Sequence, residues 1–476
     1  MFEIIDRVKP GLQKLIRVLR EAYPYASVLA VADDNRSWSI SRNGINIAAS
    51  GRMGGTGYVV RVFDGTGCAE YSFNEFVEEN IPELCAVLAR RLEEQKDALE
   101  GFEPLPTPIL SDEPAVLKKS SAWKVHPRDL GDEAIVEKLT ALRQKALDHD
   151  GRVLDAQARV SYRACRKLFL SENRDLDQTV MWTTAMVAVM ASRGQEIKMA
   201  YRPFSNLGGA EVLDEMDRQV EKVADGALEL LESQPIVPGE YECVCDPETT
   251  GMIVHEAFGH GVEMDMFVKD RALARECVGE YVASPLVTMH DGSAVDEAAT
   301  MFFDDEGTLT GDTVIIDRGV LKRGMCDALS ASRLGMSPTG NGRRESYERK
   351  AYTRMTNTYF QGGEYTPEEM IASVKDGFLL ESPSSGMEDP KNWGIQCMVT
   401  TAREIKDGKL TGRLFSPIVL TGYVPDLLKS VTMMSKTPEL SGSGFCGKGY
   451  KEWVKVSDGG PYMKARIRLG YDMLPL

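Results

Sequence analysis

The string "GMIVHEAFGHGVEMD", Gly251 to Asp265, sets the tightest local constraint on the fold. A second histidine, His260, follows His255 and Glu256 at a spacing of five. On a regular α-helix, residues five apart point about 140° away from each other, whereas residues four apart differ by about 40°. The two imidazoles can converge on one point only if the helix loosens, bulges or ends between them. Gly259 and Gly261 bracket His260 and tolerate any of these, so a distortion within Phe258 to Gly261 is expected. The chain has only five histidines, His126, His149, His255, His260 and His290. Two of them in six residues beside a glutamate mark a candidate metal site.

The surrounding sequence suggests how that helix is presented. "GEYECVC" reads as a strand, Asp246 suits a helix cap, and Pro247 suits the first helical position, where its missing N–H has no partner to lose. Cys243 and Cys245 alternate with Tyr241 on that strand and read as buried core thiols. Downstream, "GDTVIIDRGVLKRGM" and "AREIKDGKLTGRL" are apolar runs broken by Asp-Arg-Gly and Asp-Gly, the chemistry of hairpins.

Upstream, the chain opens with an amphipathic helical pattern. "YASVLAVAD" and "SWSISRNGINIAAS" read as strands, with Asn43-Gly44 as a positive-φ turn pair. The glycines of "GRMGGTGYVVRVFDG" lead into a strand pattern rather than a helix, which argues against a phosphate cradle. "GFEPLPTPILSDEP" interrupts a helical stretch with four prolines. The expected fold is α+β: N-terminal lobes with antiparallel strands, then a C-terminal domain dominated by antiparallel sheet and carrying the metal-site helix. The expected division is a lobe over 1–100, a linker over 101–130, a second lobe over 131–233 and the C-terminal domain over 234–476.

A net charge of -16 without a basic run opposes nucleic-acid binding. The longest apolar stretch, "VMWTTAMVAVMA", is shorter than the roughly 20 residues that span a bilayer. Nine scattered cysteines, an odd number, fit reduced thiols and a cytoplasmic setting.

A catalytic zinc ion needs two histidine nitrogens, usually a third protein ligand, and an open position for water. Glu256, beside His255, is placed to act as general base toward metal-bound water. The residues alone leave the third ligand open among His290, Glu263, Asp265, Cys277, Cys326, Cys397 and Cys446. Glu263 and Asp265 also suit a role orienting a ligand histidine through its second nitrogen.

"HEAFGHGVE", "FFDDEGTLTGD", "GMSPTGNGRRESY", "RMTNTYFQGGE" and "GFCGKG", in this order, resemble the TldD branch of the TldD/PmbA metallopeptidases. The resemblance implies a zinc peptidase with His255, His260 and Cys446 as ligands and Glu256 as base. It also implies degradation of unfolded or short peptides or maturation of peptide precursors, and a homodimer or a heterodimer with a PmbA/TldE-like chain. The alternative is a non-catalytic, substrate-presenting subunit of such a complex. In "TGNGRRES", the paired Arg343 and Arg344 suit bidentate binding of a peptide carboxylate or oxyanion, or else tie the loop to Asp304, Asp305 and Glu306.

Overall fold

Period-two alternation of apolar residues builds the N-terminal sheet. In β1 (Tyr25–Ser41), Ala26, Val28, Ala30 and Ala32 face one side and Leu29 and Val31 the other, and all are buried. The computed structural model describes residues 2–49, 55–102, 106–108, 110–449 and 451–471. Gly51 and Gly54 of the glycine run, and positions 103–105 and 109 of the proline segment, lie outside the described residues.

Seven further strands complete this sheet: β2 (Gly44–Ala48), β3 (Gly57–Phe63), β4 (Cys68–Phe73), β5 (Ala115–Ser120), β6 (Val153–Ser171), β7 (Arg174–Arg193) and β8 (Glu196–Asn206). The order is β4-β3-β1-β6-β7-β5, with β2 beside β1 and β8 beside β7. All pairs are antiparallel except β5 with β7. The β1–β6 register runs from Ser27↔Ser171 to Ile40↔Ala158, so segments on either side of the proline-rich stretch share one sheet.

Helices cover one face: α1 (Glu3–Ala22), α2 (Ile81–Ala98), α4 (Asp132–Leu147) and α5 (Val212–Leu230), with the short α3 (Pro127–Leu130) alongside. The apolar stripe Ile5, Val8, Leu12, Leu15, Ile16 and Leu19 of α1 is the buried side of an amphipathic helix. In the β1–β2 hairpin, Gly44 pairs with Ser41 and has a φ of 108°, while Asn43 is outside the positive-φ region. Only half of the expected turn pair is therefore left-handed.

The C-terminal half adds β9 (Gly239–Cys245), β10 (Met289–Gly292), β11 (Asp312–Asp317), β12 (Val320–Leu321), β13 (Gly342–Arg343), β14 (Tyr352–Thr353), β15 (Asn357–Phe360) and β16 (Asp376–Asp389). After these come β17 (Gly394–Lys406), β18 (Lys409–Phe415), β19 (Ile418–Tyr423), β20 (Met433–Met434) and β21 (Glu439–Ser441). The last are β22 (Phe445–Lys448), β23 (Lys451–Lys455), β24 (Ser457–Gly460) and β25 (Met463–Gly470). The two anticipated hairpins are present. Arg318 and Gly319 turn β11 into β12, and Asp407 and Gly408 turn β17 into β18, all four at positive φ.

Hydrogen bonding runs β16-β9-β25-β19-β17 and then returns from β17 to β16, closing a five-stranded ring. Closure leaves these strands without a free edge. A second sheet, β12-β11-β10-β15-β24-β21, packs against it through one continuous core. The fold is α+β, as its residue patterns require. Among the described residues no helix is long and apolar enough to cross a membrane.

The halves are joined by buried charge. Glu70 on β4 pairs with Arg61 on β3 and with Arg344, and Arg61 also reaches Glu306 at 2.8 Å. Burial alone would raise the Glu70 carboxyl, but Arg61 and Arg344 override it and hold it at about 2. A folded pKa below the unfolded value stabilises above about pH 4.5, and that contribution is lost as pH falls toward 2. Glu70→Gln is expected to cost about 2 kcal/mol at pH 7. In melting curves its deficit against the native chain should shrink as pH is lowered through this window.

Candidate metal centre

The helix after β9 starts as the sequence suggests. The Asp246 side chain accepts from the Thr249 amide, Pro247 takes the first helical position, and α6 runs Pro247–Ile253. The helix then widens into a π turn over Val254–Gly259 and tightens into a 3₁₀ turn over His260–Val262. The distortion begins four residues before the expected position. Its key bond links the two histidines themselves, because the His260 amide donates to the His255 carbonyl, a spacing of five. This hydrogen bond stacks residues that a regular helix would splay apart.

Glycines let the neighbours close in. A Cβ at Gly251 would meet Asp458 and the Gly459 backbone, one at Gly259 would overlap the Met355 sulfur, and one at Gly261 would overlap Glu388.

His255 Nε2 and His260 Nε2 each lie 3.2 Å from Cys446 Sγ. Cys446 comes from β22, 186 residues beyond His260. The three ligand atoms all lie within 4.8 Å of one another. Zinc–nitrogen bonds of about 2.0–2.1 Å and a zinc–sulfur bond of about 2.3 Å imply tetrahedral nitrogen–sulfur edges of roughly 3.5 Å. The observed separations fall a few tenths of an ångström short of that, so the donor set fits a tetrahedral ion with one position left over.

The surrounding charges favour the liganding form of the thiol; burial would lower both imidazoles, but the Cys446 thiolate raises His255 and His260 on balance, so an ion would have to displace their protons. Burial would raise the Cys446 thiol, but His260 and His255 pull it well below its usual range. Arg354, at 0% exposure, donates from Nη2 to the same sulfur at 3.0 Å and from Nε to Glu263 at 3.0 Å. Glu263 in turn accepts from His260 Nδ1 at 3.2 Å. That bond leaves His260 Nε2 to face the centre. Lys448 completes the cluster, 3.2 Å from Glu263 and 2.5 Å from Asp265. Burial would raise Glu263, yet Lys448 and Arg354 hold it well below the carboxylate range.

On the other side, His255 Nδ1 is a buried nitrogen without a hydrogen-bond partner among the described residues, 3.9 Å from Asp458 Oδ2. Burial lifts Asp458 to about 6. A small closing movement would give His255 the carboxylate partner that His260 already has.

Glu256 lines the same cleft as His255, His260 and Cys446, a cavity of about 780 Å³. Its side chain packs on Gly386 of β16, where any Cβ would overlap Glu256 Cγ. One wall comes from β16 residues Pro383 to Glu388, another from β8 through Tyr201 and Pro203, and a third from the loop around Ser441 to Gly449.

The other candidate residues are elsewhere or otherwise engaged. His290 pairs with Asp312 at 2.9 Å and stacks on Tyr359. Cys326 contacts Met264, Cys277 is half-buried against the core, and Cys397 is buried near Glu256 with its thiol pushed far up, first by burial. Asp265 is taken by Lys448 and Lys269. Cys243 and Cys245 are fully buried core thiols. Arg343 and Arg344 do not line the cleft. Their loop is tied to the acidic stretch through its backbone, Gly342 to Asp304 and Arg344 to Asp305.

Arg354, Asp458, Glu388 and Lys448 were not singled out from sequence. Lys448 and Arg354 lie inside the recognisable strings "GFCGKG" and "RMTNTYFQGGE", which was the available signal.

Residues 238–467 match the PmbA/TldA metallopeptidase C-terminal domain. A metalloprotease of Methanocaldococcus jannaschii is 27% identical over 455 residues, spanning 94% of this chain and 97% of that protein. A protein named as a zinc metalloprotease TldD homolog from Saccharolobus solfataricus is 31% identical over 230 residues, 48% of this chain and 51% of its own length. The crystal structure of TldE from Thermococcus kodakarensis shares the fold, with a TM-score of 0.73 at 17% identity over 97% of this chain and 100% of that one.

The geometry makes Cys446 chemically distinct from the other thiols. In metal-free protein at pH 7, iodoacetamide is expected to modify Cys446 ahead of the buried, high-pKa Cys243, Cys245 and Cys397. Added zinc should suppress that reaction. Peptide mass mapping reads both outcomes.

Proposed function

The chain belongs to the TldD/PmbA metallopeptidase family, and on that premise we propose that it is a zinc-dependent peptidase acting on unfolded or short peptides. The observation that carries this reading is the meeting of two imidazole nitrogens and one thiolate, each nitrogen 3.2 Å from the sulfur, beside a glutamate facing the same cleft. His255, His260 and Cys446 would hold the ion. Zinc in such a set supplies Lewis acidity toward a scissile carbonyl and toward water.

The remaining steps belong to the chain's own residues. Glu256 takes the proton from the attacking water and delivers it to the leaving amine. Gly386 leaves the space in which that carboxylate sits. Glu263 holds the proton on His260 Nδ1, and Arg354 steadies the thiolate. The serines at 384, 385, 441 and 443 give the cleft wall hydrogen-bonding groups suited to a peptide backbone. All nine cysteines are free thiols, which supports a reducing, cytoplasmic setting.

The likeness to TldE supports assembly with a TldE-like chain or with a second copy. Mass measurement on the untagged protein from its own cells distinguishes these assemblies. A chain that binds zinc but cleaves nothing, alone or with its partner, would instead be a substrate-presenting subunit.

Two sets of variants test the roles. Glu256→Gln is expected to lower peptide cleavage about 10²- to 10⁴-fold while zinc content stays at the native level. Gly386→Ala, which pushes the same carboxylate aside, should show the same split to a smaller degree. Near-normal turnover in Glu256→Gln would remove that residue from the mechanism. Cys446→Ser should lose most of its zinc while melting as a folded protein. Full occupancy at unchanged affinity would exclude Cys446 as a ligand.

A further inference from the structure

We propose that the cavity between the β6–β7 face and the β22–β23 hairpin is a binding site for a small oxyanion, held by Lys455 and Arg343. The cavity measures about 70 Å³, and none of His255, Glu256, His260 and Cys446 lines it. Its charged lining is Arg163, Lys167, Arg343, Arg344, Lys455 and Asp305. Five cations thus face one carboxylate.

Three of the five are matched. Arg163 binds both oxygens of Asp33 at 2.6 and 2.8 Å, Lys167 binds Asp305 at 2.5 Å, and Arg344 binds Glu70 at 2.5 Å. The other two are not. Arg343 donates to the Met355 carbonyl but has no carboxylate within ion-pair distance among the described residues. Lys455 is 3% exposed, and its Nζ has no hydrogen-bond partner among the described residues. It rests against the rings of Trp182 and Phe445, 4.8 and 4.7 Å from their centres. Arg344 Nε is a further buried donor without a partner among the described residues.

A buried cation is strongly disfavoured unless paired and hydrogen-bonded. Burial pulls Lys455 down to about 7 and Arg343 to about 10, so the protein alone does not compensate them. Glu297 is the carboxylate whose charge most favours Lys455, but it is engaged by the Ala298 amide and Ser205 and is itself lifted by burial to about 7. An anion in the cavity would meet the unpaired ammonium and guanidinium together.

The size selects the ligand class. Room for only a few water molecules admits a phosphate or carboxylate group, not a nucleotide. Lys455 pairs across the hairpin with Phe445, the neighbour of Cys446. A bound oxyanion would therefore fasten the Cys446-bearing hairpin to β6 and β7. Arg343 and Arg344 then serve an anion apart from the metal cleft rather than the substrate's end.

The test is calorimetric titration of the full chain, dialysed free of metal, with inorganic phosphate and separately with acetate at constant ionic strength. Metal-free protein keeps the result independent of the zinc reading. Saturable one-site binding of either anion is expected; preference for phosphate identifies a phosphate-type ligand, and preference for acetate a small free carboxylate. Lys455→Met should weaken that binding about 10-fold or more. Ala299→Leu, which fills the cavity without touching a charge, supplies the same test should the first variant not fold. Weakening in either variant supports the site. No saturable binding by the native chain, or binding unchanged in both variants, overturns it.

Discussion

Everything at the centre depends on one backbone hydrogen bond, from the His260 amide to the His255 carbonyl. It turns a spacing that would separate two imidazoles by about 140° into one that brings them together. A π turn is unfavourable by itself, so packing has to hold it. Ile253, Val254, Ala257 and Phe258 are fully buried between the strand ring and the six-stranded sheet. Burying a large apolar side chain contributes about 1.5–3 kcal/mol, so these contacts exceed the strain of one irregular turn. Gly251, Gly259 and Gly261 allow the approach from three directions. The ligand geometry is therefore a consequence of core packing.

The second requirement is charge balance. A thiolate, a buried glutamate and two imidazoles gathered this closely would not coexist without Arg354 and Lys448. Arg354 is the hub: it touches the Cys446 sulfur, the Glu263 carboxylate that accepts from His260, and the Glu452 carbonyl of β23. The same guanidinium thus ties the hairpin that brings Cys446 to the helix that brings the histidines. The His255 side is built less tightly, since its Nδ1 stands 3.9 Å from Asp458. An ion drawing on both histidines would favour closing that gap.

What could be read from sequence divides by range. Local rules reached the Asp246 cap, Pro247, the need for a distorted turn beside Gly259, and the hairpins at Arg318-Gly319 and Asp407-Gly408, because each depends on neighbours within a few residues. They failed by one residue at Asn43-Gly44, where strand pairing resumed at the glycine. Partners distant in sequence leave no periodic trace. The β1–β6 pairing, the closure of β17 onto β16, and Arg354 meeting Glu263 all fall in this class. The proposed third ligand shows the limit well. Seven candidates were chemically open, and only recognisable strings in fixed order favoured Cys446. Folding keeps the candidate ligand atoms of His255, His260 and Cys446 within 4.8 Å of one another while His290 is occupied by Asp312 and Tyr359 elsewhere.

The same division bears on what enters the cleft. Its chemical floor comes from the C-terminal half, but β8 of the N-terminal sheet supplies a wall through Tyr201 and Pro203, and the Tyr201 hydroxyl donates to the Pro383 carbonyl at 3.2 Å. Pro383 begins the β16 segment that runs through Gly386, the residue against which Glu256 packs, to Glu388, whose carboxylate accepts from the Gly261 amide at 3.0 Å. A shift of the N-terminal sheet would pass along that strand to both Glu256 and the turn that holds His260. The sheet with no ligand of its own is thus mechanically part of the site, and sequence strings confined to the C-terminal half describe the chemistry without describing its access.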